Sequence, residues 1–208
     1  MAVIHVIGSR GIPATWGGVE RQCEELYSRL VNRGHDVYIF ARSNYVKKEL
    51  KEYKGVKIIR LPTVQKKGFE AALHTLLSTI VSLKLKPQII HYYSQGPCLF
   101  SWIPRLIKPK VRVFFTCGGL DWQRKKWNRI ESAVIRLGEV CSAKFPHYKI
   151  AVSGTLKEYY EKKYGCIVYH IPNGVNIPEE TNSDLALLNQ FGLSPKKYFV
   201  VVSRIVPE

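Results

Sequence analysis

Acidic residues are scarce in this sequence: 16 Asp and Glu stand against 32 Lys and Arg in 208 residues, a formal net charge of +16. Such an excess says nothing about fold, but it favours a polyanionic partner: nucleic acid, an anionic membrane surface or a phosphorylated substrate. Cysteine is thin and scattered. The five residues Cys23, Cys98, Cys117, Cys141 and Cys166 are odd in number and form no CxxC pair. That argues against a disulfide framework or a zinc site and fits a reducing compartment. Long apolar runs are missing too. The stretch from Phe69 to Leu85 is interrupted by Glu70, His74 and Lys84, and is too short and amphipathic to span a bilayer. Met1 leads into Val3–Ile7 without a basic segment, so no secretory signal is expected. The nucleotide fingerprints GxGxxG and the P-loop are absent, as are HExxH and a Ser-His-Asp order. The hydrophobic share of 46% and charged share of 23% are ordinary globular values, which excludes a disordered or fibrous chain. The length allows one large domain, or one domain and a fragment.

The positive charge that is present is regional. Residues 84–130 carry ten basic side chains and one acid, Asp121; residues 42–67 carry nine against Glu49 and Glu52. Together they account for the whole excess. Trp102, Trp122 and Trp127 lie in the first of these segments. Indoles among cations suit a lipid headgroup interface or a single-stranded nucleic acid; a lysine-rich solvated surface is the plain alternative.

Hydrophobic spacing alternates between strand and helix. Val3–Ile7, Val37–Ala41, Val56–Leu61, Ile89–Tyr93, Val111–Thr116, Lys149–Val152 and Val168–Ile171 read as strands. Apolar residues at helical spacing fall between Val19 and Gly34, from Phe69 to Val81, from Trp127 to Cys141 and from Thr155 to Tyr164, with a short helix ending at Leu106. The strands are mostly apolar rather than alternating, as in a parallel sheet covered on both faces. The expected fold is α/β: a Rossmann-like open, mostly parallel sheet over residues 1–171, with ligands at the carboxyl ends of the strands. Residues 172–197 read as a linker region with a short helix near Asp184–Phe191, and Tyr198–Ser203 as a further strand.

Four loops carry candidate chemistry. In Gly8–Glu20, the pair Gly17-Gly18 precedes a helix, where glycine lets an anion approach backbone N–H groups and Arg10 adds a contact. A loop needing positive φ explains the same glycines. In Phe115–Trp127, Asp121 either accepts a hydroxyl hydrogen bond or serves the helix start and neutralises Arg124. Ile171–Asn176 contains the turn Asn173-Gly174, and the strand ending at Arg204 aims a guanidinium at a phosphate or is a frayed tail. The six histidines are scattered singly. Cys117 reads as a small buried residue.

In this order the pieces resemble glycosyltransferase family 4: Gly17-Gly18-Val19-Glu20, Ala151-Val152-Ser153 with Leu156-Lys157, Ile171-Pro172-Asn173-Gly174-Val175, and Ser203-Arg204-Ile205-Val206-Pro207-Glu208. Gly8-Ser9-Arg10-Gly11-Ile12-Pro13 and Leu120–Trp127 are similar to the rhamnosyltransferase-type branch that builds surface polysaccharides. The resemblance implies a two-lobed GT-B architecture. Residues 1–171 would be its acceptor-side domain, and 198–208 the first strand of a donor-binding domain that this chain lacks. It implies a retaining transferase that moves a hexose or deoxyhexose from a nucleotide-diphosphate sugar to a glycan or lipid-linked saccharide. Arg10, Gly17, Gly18, Glu20, Asn173 and Arg204 would serve donor and acceptor, with Asp121 the catalytic candidate. No metal and no cofactor beyond the donor sugar are expected. The cytoplasm, at the inner membrane face, is the expected location, and nucleic acid is not an expected partner. The sequence departs from the branch at Gly118, where the branch carries a histidine toward the sugar, and Cys117 is no substitute. A non-catalytic anion- or glycan-binding module is the alternative.

Overall fold

The computed structural model describes residues 1–15, 17–64, 69–177 and 185–201. The chain forms two compact units, Met1–Asn173 and Gly174–Glu208. In the first, the apolar stretches become β1 (Val3–Ile7), β2 (Asp36–Arg42), β4 (Val56–Leu61), β5 (Ile89–Tyr93), β6 (Arg112–Cys117), β7 (Tyr148–Ala151) and β8 (Tyr169–His170), joined by the two-residue strand β3 (Glu52–Tyr53). They make one eight-stranded sheet in the order β3-β4-β2-β1-β5-β6-β7-β8. Every pairing is parallel except β3 with β4. That hairpin turns through Lys54 and Gly55, both at positive φ (48° and 77°), the geometry of a two-residue primed turn.

Among the described residues five α-helices cover the sheet: α1 (Gly18–Asn32), α2 (Phe69–Lys84), α3 (Trp102–Ile107), α4 (Arg129–Lys144) and α5 (Gly154–Tyr164). Strand side chains alternate between faces, which divides the core in two. On one face Ile4, Val6, Ile39 and Tyr93 pack with Cys23 and Tyr27 of α1. On the other, Ile90, Tyr92, Val113 and Phe115 meet Leu83 of α2, Ile103 of α3, Ala143 of α4 and Tyr160 of α5. Tyr27, Tyr92, Tyr93 and Tyr160 are fully buried, and such a side chain gives roughly 1.5–3 kcal/mol on leaving water. Local signals fix helix ends. Asn128 and Glu131 form a reciprocal capping box at α4, Ser153 accepts from the Leu156 amide at α5, and Gly165 ends α5 in the left-handed region at φ 61°.

In the second unit α6 spans Leu185–Gln190. Tyr198–Val201 pairs with no strand among the described residues, and the remainder of the strand expected at 198–203 lies outside them.

The strand order reverses at β1. The chain runs outward from β1 through β2 to β4, then returns to β5 on the other side. That reversal opens a crevice beyond the carboxyl ends of β1 and β5, where a doubly wound sheet binds its ligand.

Candidate active site

The loop Gly8–Gly17 leaves β1 at this crevice and is fixed from below by α1. Glu20 and Glu24, one turn apart and both buried, point their carboxylates into it. The Arg10 amide donates to Glu20 Oε1 at 3.0 Å, and the Ala14 amide to Glu24 Oε2 at 2.8 Å. Lys54 Nζ reaches Glu24 Oε1 at 2.9 Å. Burial pushes the Glu24 carboxyl up, but the Ala14 amide and Lys54 outweigh it and hold the group below its ordinary value. Gly17 sits at φ 93°, and a Cβ there would lie 2.3 Å from Glu20 Oε2, so the loop closes on that carboxylate only with glycine. Gly18 faces open space, and no side chain caps α1. The first N–H groups of a fifteen-residue helix are thus presented at the crevice.

Arg10 and Arg42 stand together here: the Arg42 amide donates to the Arg10 carbonyl at 2.9 Å. The Arg10 guanidinium lies 5.1 Å from the Tyr45 ring centroid. Arg42 is largely buried beside Glu70 (3.5 Å), and burial and then Arg10 depress its pKa while Glu70 opposes them.

Across the crevice, the loops after β5 and β6 are locked by a buried network. Gln95 Nε2 donates to Glu139 Oε2 and to the Tyr160 hydroxyl, each at 2.9 Å, while its Oε1 accepts the Asp121 amide at 3.1 Å. Glu139 also accepts from Trp122 Nε1 (2.6 Å), Tyr159 (2.9 Å), Lys163 (2.7 Å) and Tyr164. Burial raises the Glu139 pKa, yet these donors, Lys163 foremost, keep the carboxyl below its usual range. Asp121 pairs with Arg124 Nε at 3.4 Å, and burial outweighs Arg124 to raise its pKa. Burial pushes the Cys117 thiol up to about 11, so it is no nucleophile near neutral pH. Gly118 and Gly119, between Cys117 and Asp121, both have open space where a Cβ would stand.

Of the residues singled out in the sequence, the fold gathers Arg10, Gly17, Gly18 and Glu20 at one corner and sets Asp121 on the neighbouring loop. Glu20 is turned onto its own loop. Asn173 is exposed beyond β8, separated from β1 by three strands. Arg204 lies outside the described residues. Sequence reasoning missed Arg42 and Glu139, and reached Gln95 only as part of the loop 94–97, one of the strand-end loops that are candidates for ligand contact. The one available signal was Gln95, a polar residue just past an apolar strand; Glu139 reads as an ordinary helix-surface acid. Among the described residues, no three His, Cys, Asp or Glu side chains converge on a metal-sized point. No described helix is long and apolar enough to cross a membrane.

Comparison with known proteins decides the family. The model of Glycosyltransferase Family 4 matches residues 16–178, well over half the chain. The chain belongs to glycosyltransferase family 4. A search of curated proteins finds no significant match. Among solved structures, this family-4 domain is similar to sucrose-phosphate synthase from Thermosynechococcus elongatus, with TM-score 0.70 and 17% identity over 94% of this chain and 54% of that one. It is similar to Anabaena HepE in complex with UDP and glucose (TM-score 0.63, 17% identity, 92% and 50% covered). It is similar, too, to the catalytic domain of starch synthase IV from Arabidopsis thaliana bound to ADP and acarbose (0.62, 13%, 95% and 60%). The fold is the Rossmann-like half of the GT-B architecture, and the domain spans 50–60% of the length of these three chains.

Proposed function

We propose that this domain is the acceptor-side half of a retaining glycosyltransferase of the rhamnosyltransferase-like branch. The enzyme moves a hexose or deoxyhexose from a nucleotide-diphosphate sugar to a saccharide or lipid-linked saccharide in surface polysaccharide synthesis, at the cytoplasmic face of a membrane. One observation carries the reading: in a family-4 chain, the uncapped start of α1 opens at the strand-order reversal behind Gly17-Gly18, beside Arg10 and Arg42. Backbone N–H groups and guanidinium there oppose the charge that grows on a departing diphosphate. The bond from the anomeric carbon to the diphosphate oxygen breaks as the acceptor oxygen bonds to the same face, and the acceptor proton passes to the departing phosphate oxygen. Asp121 accepts a sugar hydroxyl. Asn173 belongs to the interdomain connection, and Arg204 opens the donor lobe and touches the diphosphate. The reading asks for no resident metal or cofactor, because backbone N–H groups and guanidinium meet the charge of the departing diphosphate.

The test is transfer by the protein that joins this domain to a donor-binding lobe, assayed with nucleotide-diphosphate sugars and saccharide acceptors and with product anomers read by NMR. Retention supports the proposal; inversion, or the absence of turnover and of acceptor binding, overturns it.

Gly118 favours a second reading, a glycan-binding module without turnover, since the branch's imidazole is missing there. The open space at that position admits one. We expect Gly118→His to fold as the parent does and to raise transfer by tenfold or more, an effect in the usual range for a well-placed hydrogen-bond donor. Acceptor binding with no transfer by either form would leave the module.

A further inference from the structure

A surface helix normally buries its apolar side and turns its polar side to water. Much of α2 does the reverse. His74, Thr75, Ser78, Thr79 and Ser82 are buried, none of them more than 1% exposed. Leu76, Val81 and Leu83 flank this polar strip and pack on the core. The buried hydroxyls are satisfied within the domain: Thr75, Ser78 and Thr79 donate to carbonyls one turn back along the helix. Thr79 also meets the Tyr92 hydroxyl of β5 at 2.9 Å, and Ser82 meets His5 Nδ1 of β1 at 2.8 Å. The opposite side of α2 is apolar. Leu73 is 38% exposed and Ile80 42%, with Leu77 partly exposed between them.

Glu70, Leu73, Leu77, Ile80 and Lys84 follow one another at steps of three and four, so they form a single stripe along the helix. Large apolar side chains shown to water while small polar ones are buried mark an interaction surface. The charges at its two ends say what fits it. Glu70 opens the stripe. It accepts from Asn44 (2.9 Å) and meets Arg42 (3.5 Å) through one oxygen, Oε1, which leaves Oε2 to accept further. Lys84 closes the stripe, is exposed, and pairs with no carboxylate among the described residues. With one charge of each sign, the stripe has no net charge to draw a nucleic acid or an anionic bilayer. A second copy of the same helix, laid antiparallel, meets both ends with the opposite charge. A two-fold axis at Leu77 sets that residue against its own copy, Leu73 beside Ile80, and Glu70 beside Lys84. The last match is close because Glu70 and Lys84 each lie seven residues from Leu77, about 10 Å along the helix.

We propose that α2 is a homodimer interface, in which two copies of the chain pair antiparallel through Glu70, Leu73, Leu77, Ile80 and Lys84. The dimer goes beyond the transfer reading and does not rest on it. Its contact is one helix wide, less than a permanent dimer buries, and the charge of +16 on each copy opposes association. The pair is therefore reversible and forms in the micromolar range or above.

The experiment is sedimentation velocity of the 208-residue chain from about 1 to about 300 µM, the range in which a small interface fills. A monomer–dimer equilibrium is expected. Leu73→Lys with Ile80→Lys should weaken it about tenfold or more, while Leu106→Lys with Leu137→Lys, which changes apolar groups exposed elsewhere, should alter it less than about twofold. Lys84→Ala should weaken it about threefold through two symmetric ion pairs. The urea midpoint of each variant shows that the fold is kept. Cross-linking gives a reading that needs no lysine variant. Oxidation of Leu77→Cys should yield a disulfide-linked dimer, since the axis brings its two thiols together. Leu73→Cys alone should not cross-link, but mixed with Ile80→Cys it should. The parent is the blank, four of its five cysteines being buried. A chain that stays monomeric throughout overturns the proposal, as does a dimer that the Leu73 and Ile80 variants leave intact. Cross-linking of Leu73→Cys as readily as of Leu77→Cys is the mark of a parallel pair and overturns it too.

Discussion

Glu139 is a carboxylate with almost no water around it, which is unfavourable unless its charge is met from all sides. Here the donors come from a loop glutamine, a tryptophan, two tyrosines and a lysine. Lys163 is itself 46% exposed, so breaking the pair does not strand a buried cation. Glu139→Gln should therefore cost about 3 kcal/mol, the lower end for a broken buried pair, and shift Trp122 emission to the red. Chemical denaturation with fluorescence reads both. Gly138 is the neighbouring constraint. A Cβ there would stand 2.3 Å from the Gln95 carbonyl oxygen, so α4 approaches the β5 loop only with glycine at this point. Gly138→Ala should lose about 2 kcal/mol or more despite the better helix propensity of alanine, whereas Gly118→Ala should change stability by less than about 0.5 kcal/mol. Equal urea midpoints for the two variants would contradict the close approach. None of this was legible in the sequence, because the partners of Glu139 lie up to 44 residues away and belong to separate elements.

The β1–α1 loop behaves as an element in its own right: two carboxylates on one helix face take two of its amides, and glycine supplies the remaining bend. Glu20→Ala should leave the sheet intact, lower global stability by about 1 kcal/mol, and speed amide exchange at Arg10 well beyond that at Val6. Uniform exchange across β1 and the loop would show that the carboxylate does not hold it. At this scale much was legible. The parallel strands were evident from apolar runs because both faces are buried, and helix spans followed from their periodicity. The short 52–53 hairpin arm was not, since two residues carry no period and its turn begins with lysine. The glycines of the loop were legible as a turn; that Glu20 faces inward was not, because an acid in a first helical turn looks the same whether it serves a ligand or its own loop.

The whole domain carries a pH dependence set by buried imidazoles. Burial lowers His5 and His74 from 6.5 to about 4 and His91 to about 3, with Asp36 opposing the shift at His5. The unfolded chain binds protons at these sites near pH 6.5 while the folded one does not. Stability thus falls as pH drops from about 6.5 toward 4, by roughly 2 kcal/mol for each histidine by pH 5. Below that, protonation of Glu24 and Glu139, whose pKa values folding depresses, removes more. Thermal melts between pH 7.5 and 5 should show a steady decline of about 2–4 °C per kcal/mol lost; a flat profile would place these rings in water. The clamp behind the β6 loop has a further consequence. Since Gln95 and Glu139 hold Asp121 and Trp122 from the rear, the two small residues ahead of them form an interchangeable tip, where a new side chain alters what the crevice recognises while its foundation stays put.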